Sequence, residues 1–139
     1  MIMAIDVSNT NITLGTFKGE KLLKIYRVTT KVPRTSDEYG VLLRDLVRLS
    51  NASHHDIEGV IIASVVPNVM YSLTNACIKY FHVHPVIVGP GVKTGLNIHM
   101  DEPRRVGSDL IVDAVAAIKE YGAPVMIIDM GTATTISIV

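Results

Sequence analysis

The order of apolar and polar positions predicts three strands at the start of the chain. Residues 1–7 form a short apolar run, residues 11–18 alternate between apolar and polar side chains, and residues 21–30 form another β-rich run. Gly19 and Glu20 supply a turn between the second and third segments. These three segments are expected to form a β-meander.

Three later segments have the spacing of apolar residues that is typical of helices, namely residues 37–49, 68–81 and 108–121. Ser36 is the predicted N-cap of the first helix, and two acidic residues follow it, where the helix dipole favours them. Cys77 falls on the apolar face of the second helix and is expected to be a buried packing residue. The predicted apolar face of the first helix comprises Leu42, Leu43, Leu46, Val47 and Leu49.

Further strands are predicted between these helices. Residues 60–66 form a continuous apolar run ended by Pro67, as expected for a strand that is covered on both faces. Shorter strands are predicted at residues 86–88 and 125–128, the latter also buried, and residues 89–106 form a long loop of functional type. The order of elements predicts an α/β fold with a mixed sheet. A ribonuclease H-like domain and several other α/β folds share this order, so it assigns no function by itself.

The composition narrows the possible partners. Of the 139 residues 48% are apolar and 19% are charged, which suits one ordinary globular domain. The 13 Lys and Arg residues balance the 13 Asp and Glu residues, which argues against nucleic acid or an anionic membrane as a partner. No apolar run approaches the roughly 20 residues that span a bilayer, and no basic region of a signal peptide is present. With a single cysteine, the chain is expected to be cytoplasmic.

The first segment that suggests chemistry is Ile5-Asp6-Val7-Ser8-Asn9-Thr10-Asn11, between two predicted strands. A turn of small polar residues can direct backbone N–H groups at phosphate oxygens, while the Asp6 carboxylate holds a hydrated Mg²⁺. The alternative is an ordinary β-turn, because Asn, Asp and Ser side chains stabilise turns by bonding to nearby backbone. The segment alone leaves both interpretations open.

A second segment, residues 127–135, repeats this arrangement about 120 residues later. An apolar strand again ends in a carboxylate, Asp129, and a Gly and several hydroxyl residues follow. An Asp at the end of a buried strand would be a buried charge, which is costly without a counter-ion. Two such loops favour an actin-like phosphotransferase, in which each loop heads one of two similar domains and ATP lies between them.

Five segments in order resemble the type III pantothenate kinases, a family also called Bvg accessory factor-like. They are residues 6–11, 34–40, 64–67, 89–95 and 129–135. The resemblance implies an α/β, ribonuclease H-like (actin-like ATPase) domain with a mixed sheet and helices on both faces. It also implies a homodimeric enzyme that transfers the γ-phosphoryl group of ATP to the 4′-hydroxyl of pantothenate, the first step of coenzyme A biosynthesis, with Mg²⁺ and a monovalent cation (K⁺ or NH₄⁺).

The same resemblance assigns roles to individual residues. Phosphoryl transfer needs a carboxylate that orients the attacking hydroxyl, and Asp109 would be this catalytic base, with helix capping as its alternative role. Asp6 would hold Mg²⁺ through the phosphates, and Asp129 would hold the monovalent cation. The residues expected to contact ATP are Asp6, Val7, Ser8, Asn9, Thr10, Asn11, Ile12, Thr13 and Thr132. Those expected to contact the acceptor are Met100, Gly107, Ser108, Asp109 and Leu110.

Three positions depart from the family pattern. Ser8 stands where the family usually has Gly, and Met100 where an aromatic residue is frequent. Leu110 replaces an Arg that helps to hold the pantothenate carboxylate, and Leu has neither its charge nor its donors. Two alternatives therefore stay open: an actin-like phosphotransferase with another acceptor, and a non-catalytic nucleotide-binding accessory or regulatory factor. Retention of Asp6 and Asp109 argues against the second.

The predicted domain organisation is a first actin-like ATPase domain over residues 1–122 and the opening strands of a second over residues 123–139. Family members are longer, so this chain is expected to be their N-terminal part and to be inactive alone. Asp6, Asp109 and Asp129 are predicted to lie around one cleft, since ligand sites in such sheets lie at strand ends and helix starts.

Overall fold

The computed structural model describes residues 1–139, which divide into two compact units, Met1–Ile87 and Val88–Val139. The first unit contains strands β1 (Ile2–Val7), β2 (Asn11–Lys18), β3 (Lys21–Thr29), β4 (Gly59–Ser64) and β5 (Val86–Ile87), with helices α1 (Ser36–Leu49) and α2 (Met70–Phe81). The second unit contains helix α3 (Ser108–Tyr121) and strands β6 (Met126–Met130) and β7 (Thr134–Ile138). The predicted order of elements is confirmed.

The first unit is built on a five-stranded mixed sheet with the order β3-β2-β1-β4-β5. β1 pairs antiparallel with β2, and β2 pairs antiparallel with β3, so the predicted meander is confirmed. β4 runs parallel to both β1 and β5. Parallel strands need crossover connections, and helices α1 and α2 lie in these connections. In the centre of the sheet Asp6 is paired with Thr13 on one side and Ala63 on the other.

The core of this unit lies between one face of the sheet and the two helices. Alternate residues of β1, Met3, Ile5 and Val7, are buried against this layer. From the helices, Tyr39, Leu43, Val47, Leu73, Ala76, Cys77 and Phe81 complete it. Cys77 is fully buried, so its predicted packing role is confirmed.

The first turn of α1 begins one residue earlier than predicted. Thr35, not Ser36, is the N-cap. Its hydroxyl accepts a hydrogen bond from the Glu38 N–H at 3.2 Å, and the Glu38 carboxylate accepts one from the Thr35 N–H at 3.2 Å. This reciprocal pair is a capping box, which only a Ser or Thr three residues before the Glu can form. The spacing of Thr35 and Glu38 in the sequence therefore predicts Thr35 as the N-cap.

The other end of α1 also differs from the prediction. Leu49 was expected on the apolar face but is 63% exposed, whereas Tyr39, which was not included, is buried. The helix ends at Leu49, and the Ser50 hydroxyl donates to the Leu46 carbonyl at 3.3 Å. The apolar face therefore lies nearer the start of the helix than the run of leucines indicates.

Helices α1 and α2 approach closely at Gly40. A Cβ atom at this position would overlap the ring of Tyr80, so only Gly fits. The Tyr80 hydroxyl donates to Asp37 Oδ1 at 2.7 Å, and the Lys79 ammonium lies 2.6 Å from the same oxygen. These contacts hold the start of α1 against the end of α2.

Two strands are less covered than predicted. β4 ends at Ser64 rather than at residue 66, and Ile61 on its second face is 37% exposed, so the strand is not buried on both faces. The predicted buried strand at residues 125–128 is β6, an exposed strand of a two-stranded ribbon with β7. Such a ribbon cannot cover its own faces. Its exposed apolar side chains are Met126, Ile128, Met130, Ile136 and Ile138.

The predicted domain boundary after residue 122 stays a prediction. Helix α3 and the β6–β7 ribbon both fall within the compact unit Val88–Val139. None of the helices combines the length and the apolar character needed to cross a bilayer.

Candidate functional site

The predicted phosphate loop is the turn between β1 and β2. Asp6 lies one residue before the end of β1, and its carboxylate accepts a hydrogen bond from the Ser8 hydroxyl at 3.1 Å. The Ser8 N–H donates to the Asn11 carbonyl at 3.0 Å and closes the turn. The departure from Gly at Ser8 therefore adds a hydroxyl that bonds to the carboxylate.

Thr30 anchors this turn and was not found from the sequence. Its hydroxyl donates to the Ser8 carbonyl at 2.7 Å, and its N–H donates to the Thr10 carbonyl at 3.0 Å. The side chain is buried directly after β3. In the sequence Thr30 is only a hydroxyl residue at the end of a predicted strand. Its place beside the turn can be recognised only once β3 is known to pair with β2.

The turn offers polar groups to solvent at its tip only. Asn9, Thr10 and Asn11 are exposed, whereas the side chains of Val7 and Ile12 belong to the core. Of the residues predicted to contact ATP, these last two could do so only through backbone atoms. An exposed turn beside a half-buried carboxylate fits phosphate groups with a hydrated Mg²⁺, which prefers oxygen ligands.

Asp109 lies in the first turn of α3, as predicted. Its Oδ1 accepts a hydrogen bond from the Leu110 N–H at 2.9 Å. This N–H is one of the first-turn donors that have no partner within the helix, so the helix-capping alternative has a real contact behind it. A Cβ atom on Gly107 would collide with Asp109 Oδ1, so this glycine leaves the space that the carboxylate occupies.

Two of the predicted acceptor residues line one cavity in the second unit. The cavity has a volume of about 290 Å³, and both Met100 and Leu110 line it. Gly107, Ser108 and Asp109 are not among its lining residues, although they adjoin Leu110 in the chain. Most of the lining is apolar and comes from residues 96–100, the first half of α3 and the end of β7.

Asp129 lies in β6 opposite Thr135, one residue before the end of the strand, and the turn that follows contains Gly131 and Thr132. The carboxylate is exposed, so the argument that a buried charge requires a counter-ion is wrong for this residue. The chain contains no group of three or more His, Cys, Asp or Glu side chains that could hold a metal ion. A cation at Asp129 therefore rests on the family resemblance alone, and the roles predicted for Asp129 and Thr132 stay predictions.

The prediction that Asp6, Asp109 and Asp129 surround one cleft also stays a prediction. Each is found at the kind of position expected, near a strand end or at a helix start. The central strand β1 has an Asp near its end and is followed by a polar turn to antiparallel β2, and parallel β4 is reached through α1. This arrangement is that of a mixed α/β domain of the actin-like ATPase class.

Comparison with known proteins identifies the family within this class. The family model described as type III pantothenate kinase matches residues 2–139. The chain therefore belongs to the type III pantothenate kinase family, as its motifs predicted.

Curated relatives agree along the whole chain. A type III pantothenate kinase of Listeria innocua is 53% identical over 135 residues, which are 97% of this chain and 52% of that protein. One of Agathobacter rectalis is 54% identical over 139 residues, which are 100% of this chain and 54% of that protein. One of Bifidobacterium animalis subsp. lactis is 50% identical over 135 residues. The chain spans about half the length of these relatives.

Proposed function

We propose that the protein to which this chain belongs phosphorylates the 4′-hydroxyl of pantothenate with ATP, the first step of coenzyme A biosynthesis. The observation that carries this proposal is the match to the family over residues 2–139, which includes both the Asp6 turn and the start of α3. The placement of the Asp109 carboxylate at a helix start beside a glycine supports it.

Asp109 acts as the general base in this proposal. The 4′-hydroxyl of the acceptor gives its proton to the Asp109 carboxylate as its oxygen attacks the γ-phosphorus of ATP. An oxygen–phosphorus bond forms, the bond from the γ-phosphorus to the β–γ bridging oxygen breaks, and ADP leaves. The hydrogen bond from the Leu110 N–H to Asp109 Oδ1 at 2.9 Å fixes the orientation of the carboxylate.

The β1–β2 turn binds the phosphates of ATP in this proposal. Asp6 would hold Mg²⁺, which neutralises charge on the phosphates when bound. The exposed residues Asn9, Thr10 and Asn11 would contact phosphate oxygens, and the two bonds from Thr30 keep the turn in shape. By family resemblance, Thr132 would contact ATP and Asp129 would hold K⁺ or NH₄⁺.

Assembly and location belong to the same proposal. We expect a cytoplasmic homodimer, on the family resemblance and the single, fully buried cysteine. The second actin-like domain, of which residues 123–139 are proposed to be the opening strands, would complete the nucleotide site. The isolated 139-residue chain is accordingly expected to be inactive.

A second candidate is the same transfer to a different hydroxyl. The observation that favours it is the apolar cavity, where Met100 and Leu110 stand at two positions that depart from the family pattern. A non-catalytic accessory role is less favoured, because both Asp6 and Asp109 are present in a chain that matches the family throughout.

Substitution of Asp109 in the protein expressed from its complete gene tests the proposal. Asp109→Asn is expected to lower kcat for pantothenate phosphorylation about 10²–10⁴-fold, the usual contribution of a general base, with little change in ATP affinity. Asp6→Asn should instead weaken Mg²⁺-dependent ATP binding. Asp45→Asn, the same change at an exposed site on α1, is the matched control and should keep the parental rate. Parental turnover by the Asp109→Asn enzyme would return Asp109 to a capping role.

A further inference from the structure

A cavity in the first unit lies between the second half of α1 and the segment that follows this helix. Its volume is about 170 Å³, and it is lined by Arg44, Arg48, Ala52, Ser53 and His54. The two arginines are four positions apart on α1, so their side chains lie on the same face of the helix. No Asp or Glu lines the cavity, and its lining is therefore basic and polar.

Neighbouring acids do not neutralise the positive charge of this cavity. Arg44 is half-buried and forms no ion pair or side-chain hydrogen bond. Arg48 lies 3.7 Å from Asp45, but both side chains are largely exposed, so the pair is weak. The Asp56 carboxylate accepts a hydrogen bond from the Ser53 N–H at 2.7 Å. A half-buried guanidinium group without a counter-ion is unfavourable, so an anion from solution would stabilise it.

The surroundings of His54 show the same excess of positive charge. Partial burial lowers the pKa of the His54 imidazole, and the Arg44 guanidinium and the imidazoles of His55 and His82 lower it further. The ring centroids of His54 and His55 are 3.9 Å apart. No acidic group opposes these effects. A bound anion would do so, because it stabilises the charged form of the imidazole.

The groups that line the cavity suit a phosphate group. Guanidinium groups bind phosphate oxygens through pairs of parallel hydrogen bonds, and an imidazole N–H can donate another. The Ser53 hydroxyl accepts a hydrogen bond from the His55 N–H at 3.3 Å, which leaves its own proton free to donate. Sites for whole small molecules usually have volumes of about 300–1,000 Å³. The smaller cavity here fits a single phosphate group rather than a whole nucleotide.

The cavity is far from the proposed ATP-binding turn. The Met1 amino group donates to the Asp56 carbonyl at 2.8 Å, so the short helix His54–Asp56 lies beside the start of β1. Asp6 lies near the opposite end of this strand. At about 3.3 Å per strand residue, the two ends are about 15 Å apart. The cavity is therefore separate from the Asp6 turn.

We propose that Arg44, Arg48, Ser53 and His54 form a second anion site, which binds a phosphate group that is either free or carried as a monoester by a small molecule. The balanced net charge of the chain argues against nucleic acid as the source of this phosphate. The inference is independent of the proposed function, because none of these residues belongs to the Asp6 turn or to the start of α3.

The test is an NMR titration of the protein expressed from its complete gene, in which sodium phosphate replaces sodium chloride at constant pH and ionic strength. The Cε1–H resonance of His54, assigned with the His54→Gln variant, is expected to shift and to saturate at millimolar phosphate. Arg44→Gln should weaken this binding about 10-fold or more, as expected for the loss of one charge-assisted hydrogen bond. Lys24→Gln removes the same charge at an exposed site on β3 and should leave the binding unchanged. Asp6→Asn should also leave it unchanged.

A second titration with glycerol 3-phosphate distinguishes the two sources of the phosphate group. Tighter binding of this monoester than of inorganic phosphate assigns the site to a phosphorylated small molecule, and the reverse assigns it to free phosphate. The proposal is overturned if neither compound gives a saturable shift, or if Arg44→Gln binds as tightly as the parental protein. If Arg44→Gln does not fold, Arg48→Gln, at an exposed side chain, carries the same expectation and decides.

Discussion

Replacing Tyr39 by Phe is expected to stabilise the protein, although the substitution removes the Tyr39 hydroxyl group. Tyr39 is 2% exposed, and its hydroxyl oxygen is buried without a hydrogen-bond partner. The ring itself packs in the core, and the Arg34 guanidinium lies 5.7 Å from its centroid. Phe keeps both of these contacts and loses only the unpaired hydroxyl.

The magnitude follows from two opposing effects. A buried hydroxyl without a partner costs about 1–3 kcal/mol, which the substitution recovers. The void left by one oxygen atom, of about 12 Å³, costs about 0.3 kcal/mol. The net gain in the free energy of unfolding of the first unit, Met1–Ile87, is therefore about 0.7–2.7 kcal/mol. Each kcal/mol is equivalent to a rise in Tm of about 4–8 °C for a domain of this size.

The assay is thermal unfolding of the parental protein and the variant, with Tyr80→Phe as the matched control. The Tyr80 hydroxyl donates to Asp37 at 2.7 Å, so the same chemical change should lower Tm there. A lower Tm for Tyr39→Phe would show that the Tyr39 hydroxyl has a partner in solution, and the reasoning from its burial would be refuted.

Two further predictions concern the packing of α1 and α2. Gly40→Ala should destabilise the protein by about 1–3 kcal/mol in urea unfolding because a Cβ atom overlaps the Tyr80 ring, whereas Gly89→Ala, which meets no atom within 4 Å, should be nearly neutral. Burial raises the pKa of the Cys77 thiol from 9.0 to about 12, so the thiol should not react with a disulfide reagent at pH 8 unless urea is present. The thiol ionises at a lower pH in the unfolded protein than in the folded protein. The contribution of the buried, neutral thiol to the free energy of unfolding is therefore complete below pH 9 and is lost as pH rises toward about 12. Rapid labelling of the native protein would contradict this burial.

The sequence predicts the strands and helices of the first unit well because local patterns determine them. One face of β2 is covered by the core, and the alternation of apolar and polar residues that predicts this strand corresponds to that covered face in the structure. Asp6 follows an apolar run, and its position near the end of β1 could be recognised from the residues alone. Errors arise where coverage by other elements decides the outcome. The apolar runs of β4 and β6 look alike in sequence, yet Ile62 is fully buried and Ile128 is 57% exposed.

Contacts between distant segments explain what the sequence could not provide at the site. Thr30 holds the Asp6 turn through bonds to Ser8 and Thr10, which are 22 and 20 positions away in the chain. Met100 and Leu110 each depart from the family pattern in the sequence, but their placement in one cavity depends on the fold of residues 88–139. The apolar character of this cavity is therefore a property of the structure and not of any motif.

The hydrogen bond between the Leu110 N–H and Asp109 Oδ1 decides which substitution can separate the two roles of Asp109. Asn retains an oxygen that can accept this bond, so the start of α3 is preserved and only the ability to take a proton is lost. Ala removes both, so a loss of activity in Asp109→Ala could reflect a damaged helix start, at a typical cost of about 1 kcal/mol for a lost cap. An Asp109→Asn protein with parental Tm and a large loss of kcat therefore identifies the base, whereas equal losses of Tm in both variants would assign Asp109 to the cap.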